Sequence, residues 1–226
     1  YAETIGNPQL NVCDIAALAE IAHGAGVPLV VDNTLASPAL CRPFEHGADV
    51  VVHSVTKYLG GHGTTMGGVV VESGRFRWDN GNFPGMTEPS AGYHGVRFYE
   101  TFGDFGFTMK ARMETMRTLG PTLAPLSAFL LLQGIETLHL RMPRHSASAL
   151  TVAQHLAAHP AIDWVRYPLL AGDRYARPAA RYLPRGAGGI LTFGIRSGGV
   201  SGARAGERFI ESVQFLSHLA NVGDAK

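Results

Sequence analysis

Lys57 follows two hydroxyl side chains, Ser54 and Thr56, and precedes a glycine-rich turn in the stretch HSVTKYLGGHG from His53 to Gly63. A lysine in that setting can neutralise a phosphate or serve as an amine nucleophile. The order of the residues separates the two uses. A P-loop places its glycines before the lysine and a Ser or Thr after it. Here Gly60, Gly61 and Gly63 come after the lysine and the hydroxyls come before it. The reversed order suits a lysine that forms a Schiff base with the aldehyde of a phosphorylated cofactor, while neighbouring hydroxyls hold the phosphate.

Pyridoxal 5′-phosphate has that chemistry, and it needs an acid on its ring nitrogen and a partner for its ring hydroxyl. Asp32 ends the apolar run VPLVVDN, with Asn33 and Thr34 following, and Asn7 stands in GNP near the end of an earlier segment. Taken singly, each has a plainer reading. Lys57 reads as a surface turn, Asp32 as a cap or turn acid, and Asn7 as a turn residue before proline. It is their convergence on one cleft that would give them a function.

The elements that must position them alternate. DIAALAEIAHGAG carries apolar residues at Ile15, Leu18 and Ile21 behind a candidate cap at Asp14, and predicts a helix closed by Gly24 or Gly26. VPLVVDN and ADVVVHS predict buried strands ending at Asp32 and Ser54. The rhythm implies a mostly parallel sheet with helices on both faces, whose ligands sit beyond the carboxyl ends of the strands. Residues 72–106 form an irregular stretch, and nine aromatics between Phe76 and Phe107 predict a packed insertion. Helical pattern resumes in TMKARMETMRTLG and PLSAFLLLQGIETLHLRM, followed by a second helix and strand set. A boundary is expected near Leu140, with residues 1–140 in the cofactor-binding domain and 141–226 in a smaller α/β domain.

Composition narrows the function classes. The chain has 226 residues, 46% hydrophobic and 16% charged, as expected of a globular protein. A net charge of +1 gives no electrostatic argument for nucleic acid or an anionic membrane. No apolar run reaches membrane-spanning length. Cys13 and Cys41 form no disulfide framework, so a reducing, cytoplasmic setting is expected. No signal peptide is evident. His23, His46 and His53 have no ligand spacing, and no metal is expected. His62 reads as a residue that shapes its glycine turn. The chain opens without methionine, and a piece of a longer protein is expected.

The motifs AETIGNP, VDNT, GADVVVHSVTKYLGGHG, GGVVV, GIETLHLRMPRH and SHLANVGDAK resemble the Cys/Met-metabolism family of fold-type I pyridoxal-phosphate enzymes. Asn7, Asp32 and Lys57 are separated by 25 and 25 positions, as in that family. The insertion through FPGMTEPSAGYHG is similar to that of the O-acetylhomoserine sulfhydrylase branch. The resemblance implies that Lys57 carries the cofactor and moves protons, Asp32 pairs with the ring nitrogen, and Ser54 and Thr56 hold the phosphate. It further implies that Asn7 meets the ring hydroxyl, Thr34 supports the ring and Glu3 organises the site. The implied reaction joins O-acetylhomoserine and sulfide to give homocysteine and acetate. Elimination by a γ-lyase and transfer by a cystathionine γ-synthase are the alternatives within the family. A non-catalytic phosphate-binding module is the alternative of another class. A homotetramer of dimers is implied, with no nucleic acid or membrane partner. The family's cofactor-stacking aromatic and substrate-carboxylate arginine would lie outside this chain.

Overall fold

A computed structural model describes residues 1–224. Its first sheet has the order β1 (Ala2–Glu3), β2 (Val30–Asp32), β3 (Val50–Ser54), β4 (Gly68–Glu72), with β1, β2 and β3 parallel and β4 antiparallel to β3. Val31, Val50 and Val51 are buried, as expected of strands covered on both faces. Strand β4 is an addition to the elements expected from sequence. It forms an edge on which Val69, Val70 and Val71 remain exposed.

Helix α1 (Ile15–Gly24) connects β1 to β2. Asp14 caps it by accepting a bond from the Ala17 amide at 3.2 Å. Tyr182 also donates to that carboxylate, and this bond holds Asp14 below the usual carboxylate range. The expected apolar stripe needs correction. Ile15 is buried, but Ile21 is 69% exposed, because the covered face runs through Ile15, Ala19 and Ala22. A stripe with spacing of four then three residues matches the helical period better than Ile15, Leu18 and Ile21. After α1 the chain reverses at Gly26, whose φ of +69° favours glycine.

The crossover from β2 to β3 holds α2 (Ser37–Leu40) and a 3₁₀ turn at Pro43–His46. Beyond β4, the insertion contributes α3 (Pro84–Thr87), α4 (Phe98–Phe102) and α5 (Gly106–Lys110). A π-helical turn, Ala111–Met116, leads into α6 (Arg117–Leu119). Next come α7 (Pro125–Glu136), α8 (Leu138–Ala158) and β5 (Ile162–Arg166). The described chain closes with α9 (Ala176–Tyr182), β6 (Thr192–Ile195) and α10 (Gly202–Ser212), and β5 pairs antiparallel with β6 in a separate sheet. The position near Leu140 lies inside α8. One buried cluster runs from Ile5 and Val31 through Leu131 and Met142 to Tyr182, so packing is continuous across it.

The aromatic insertion packs mainly on itself. Trp78, Met86 and Phe98 form its buried centre. Trp78 stacks on Phe107 at 5.2 Å and meets Phe76 and Phe83 edge-on. Polar ties fasten this unit to the core. Asn80 and Asn82 both donate to the Gly26 carbonyl, at 2.9 and 3.0 Å, and Glu72 accepts from the Thr108 amide at 2.8 Å. Trp78→Ala should cost about 3–5 kcal/mol, the range for truncating a buried aromatic. Thermal unfolding measures that loss. Limited proteolysis should show faster cleavage in residues 81–92 of the variant than of the parent.

Candidate active site

Strands β2 and β3 end side by side at Asp32 and Ser54, and Glu3 at the end of β1 is in register with Asp32. Thr34 links the two central ends. Its amide donates to Asp32 Oδ1 at 2.9 Å, and its hydroxyl oxygen accepts from the Ser54 amide at 2.8 Å. Asn33 between them is fully buried; it accepts from the Thr4 hydroxyl and donates to the Cys41 carbonyl, which fixes the turn after β2. The backbone N–H of Asn7 donates to Glu3 Oε2 at 3.2 Å.

A cavity of about 210 Å³ lies beyond these ends, lined by Glu3, Asn7, Asp32, Thr34, Ser54 and Lys57 among others. Six of the seven residues expected from sequence therefore line one space. Thr56 does not join them. Its hydroxyl donates to the Gly67 carbonyl and accepts from the Gly67 amide, and it lines an adjoining cavity of about 540 Å³ with Gly63, Thr64 and Thr65. The two hydroxyls are two positions apart in sequence, but only Ser54 belongs to the strand end. Lys57 lines both cavities.

Two contacts here were not legible in the sequence. Tyr1 donates its phenol to Asp32 Oδ2 at 2.8 Å, and desolvation together with that carboxylate pushes the phenol up to about 12. Lys57 Nζ donates to Asn221 Oδ1 at 3.1 Å, and Asn221 in turn donates to Asp224 at 2.6 Å. Asn221 lies 164 positions from Lys57, in the SHLANVGDAK motif, which gave no sign of this contact. Ala220 and Val222 also line the first cavity.

No histidine lines either of these two cavities among the described residues. His62 Nδ1 is 2.7 Å from the Gly60 carbonyl, a contact within its own turn. His23 meets Asp49 at 2.8 Å. His53 is buried in β3 with no partner at Nδ1, and desolvation pulls its pKa down. No group of three or more metal-ligating side chains is gathered among the described residues. A larger cavity, about 850 Å³, lies between β5, β6 and α10 and is lined by Asp163, Trp164, Phe193, Arg196, Phe209 and Ile210 among others. It holds no lysine beside an acid, so the smaller space is the candidate site.

The residues fit pyridoxal 5′-phosphate. The small cavity offers an amine for the aldehyde, a carboxylate for a protonated ring nitrogen, an amide for the ring hydroxyl and the Ser54 hydroxyl for phosphate oxygens. An anion site alone would have no use for Asp32, which repels phosphate.

A mostly parallel sheet under helices, with a lysine and an acid at the strand ends, defines an α/β chain of the fold-type I pyridoxal-phosphate class. The chain matches the Cys/Met metabolism PLP-dependent enzyme family over residues 1–226, and it belongs to that family. It is 50% identical over 235 residues to the O-acetyl-L-homoserine sulfhydrylase of Leptospira meyeri, covering 100% of this chain and 52% of that protein. It is 48% identical over 229 residues to the homocysteine synthase of Schizosaccharomyces pombe, again covering 100% and 52%. A crystal structure from Campylobacter jejuni, described as an O-acetylhomoserine (thiol)-lyase with a pyridoxyl-lysine phosphate in its chain, superposes with a TM-score of 0.93. That chain is 35% identical, with 100% of this chain and 56% of the other covered. The chain thus spans about half the length of the curated relatives it matches.

Proposed function

We propose that the protein containing this chain replaces the γ-acetoxy group of O-acetyl-L-homoserine with sulfide, giving L-homocysteine and acetate. The observation that carries this reading is the meeting of Lys57, Asp32 and Asn7 in one cavity of a chain whose relatives bear sulfhydrylase and homocysteine synthase names. Pyridoxal phosphate, when bound, supplies the electron sink that makes protons next to the substrate amine acidic.

The chain's own residues do the rest. Lys57 anchors the cofactor, and its amine, released when substrate binds, is the group placed to move protons at Cα and Cβ. A positioned base contributes about 10²–10⁴-fold in rate. Asp32, held by the Thr34 amide, keeps the ring nitrogen protonated. Asn7 bonds the ring hydroxyl. Ser54, joined by Thr56 from the neighbouring cavity, holds the phosphate. Acetate leaves from Cγ and sulfide adds there, with no change in net oxidation state.

We assign residues 1–140 to the cofactor-binding domain and 141–226 to the smaller one, a division supported by the two separate sheets. A homotetramer is part of the same proposal. Its support is the apolar stripe left exposed on α7, where Leu126, Phe129, Leu132 and Ile135 stand free of cover. The insertion aromatics offer no such support, since they bury one another. No described helix is long and apolar enough to cross a membrane, and a cytoplasmic site of action with no nucleic-acid partner is proposed.

The test is a product assay of the full-length protein with O-acetylhomoserine and sulfide. Homocysteine and acetate in equal amounts are expected. An oxoacid and ammonia in place of homocysteine would assign it to γ-elimination. Turnover only with cysteine as the sulfur nucleophile would assign it to the γ-synthases.

A further inference from the structure

Arg141 lies on α8, 84 positions from Lys57, yet its guanidinium reaches the turn that carries the lysine. Nη1 donates to the carbonyl of Tyr58, the residue after Lys57, at 2.8 Å. Nη2 donates to the Gly134 carbonyl near the end of α7 at 2.7 Å, and Nε donates to Thr137 Oγ1 at 2.9 Å. All three acceptors are uncharged. Desolvation pulls the pKa of Arg141 down, yet an arginine stays charged at any working pH. Partly burying a cation without an acid is costly unless its donors are satisfied. The carbonyls at the C-terminal end of α7 offset part of that cost through the helix dipole.

The fit around the turn is close. A Cβ on Gly61 would stand 2.4 Å from Arg141 Nη1, and one on Gly134 would stand 2.0 Å from the Gly60 carbonyl. Within the turn, the Gly61 amide bonds the Lys57 carbonyl at 2.8 Å, and the Gly60 amide bonds Val55 at 2.9 Å. Tyr58 is buried; its hydroxyl accepts from the Gly189 amide, and its ring meets His145 edge-on at 5.5 Å. The backbone on the C-terminal side of Lys57 is therefore gripped from α7, α8 and the segment around Gly189.

We propose that Arg141 is a positioning residue for Lys57, its three-point fork fixing the Tyr58 carbonyl to the α7–α8 junction and so setting where the lysine amine stands in the cavity. The inference rests on the reading of Lys57 as the cofactor lysine. A lysine at position 141 presents a point charge and cannot hold three acceptors in one plane.

The experiment uses full-length, cofactor-loaded protein and compares the parent with Arg141→Lys, Arg141→Met and Thr137→Val. It measures kcat and KM per loaded site, and the pH titration of the cofactor's visible absorbance. A displaced amine should lower kcat by about 10–100-fold, as a misplacement near 1 Å does, with KM little changed. It should also shift the pH midpoint of the absorbance. Arg141→Lys should fail to restore either, and Thr137→Val should move both in the same direction by less. Parental kcat and absorbance titration in folded Arg141 variants, whatever their melting temperature, would overturn the proposal. If neither Arg141 variant folds, parental values in Thr137→Val overturn it. A pyridoxyl label that maps away from Lys57 in the parent would instead remove the reading beneath it.

Discussion

Lys57→Ala in the full-length protein should fold normally, lose covalent attachment of the cofactor and lose turnover by at least about 10²–10⁴-fold, the contribution of a positioned base. Among the described residues the side chain's hydrogen bond is to Asn221 at 3.1 Å, so its removal leaves few of them unpaired. Loss of the amine removes anchor and base together. Circular dichroism should match the parent, while dialysis should strip the cofactor from the variant alone. Retained turnover in the dialysed variant would show that another group is the base.

Asp32→Asn should keep the cofactor but lower kcat by about 10–100-fold, the equivalent of roughly 1.5–3 kcal/mol for a hydrogen bond to a charged partner. The amide can still accept from the Thr34 amide, so the turn after β2 should hold. What is lost is the negative charge that keeps the ring nitrogen protonated. An independent readout is available at Tyr1. Its phenol is raised to about 12 by desolvation first and then by Asp32, so removing the charge should bring its titration partway back toward the ordinary value. Near-parental turnover, with the Tyr1 titration shifted, would limit Asp32 to a structural role.

The readable part of this molecule was the part written in local pattern. Asp32 and Ser54 were legible because short apolar runs ended on them, and a buried parallel strand presents its last residue to the cleft. Asp14 was legible because an acid before an apolar period is a helix cap. Thr56 stands two positions from Ser54, but that spacing said nothing about its bonds to Gly67, which place it in the adjoining cavity. Ile21 misled because apolar residues three apart drift off the face that Ala19 and Ala22 bury. Asn221 and Arg141 stand in motifs that carried the family resemblance, but their contacts were unreadable for a different reason. Each reaches Lys57 or its neighbour across a long chain separation, by contacts that only tertiary packing creates. The insertion was legible as packed from its aromatics, but not its partner, since those rings satisfy one another.

Borohydride reduction of the full-length, cofactor-loaded protein followed by peptide mass mapping tests the central claim most directly. Lys110 is the instructive competitor, because it is already paired with Glu114 and seated over the Phe98 ring at 4.7 Å. The account predicts a single pyridoxyl group on Lys57. A pyridoxyl group on Lys110, or on no lysine, would contradict it.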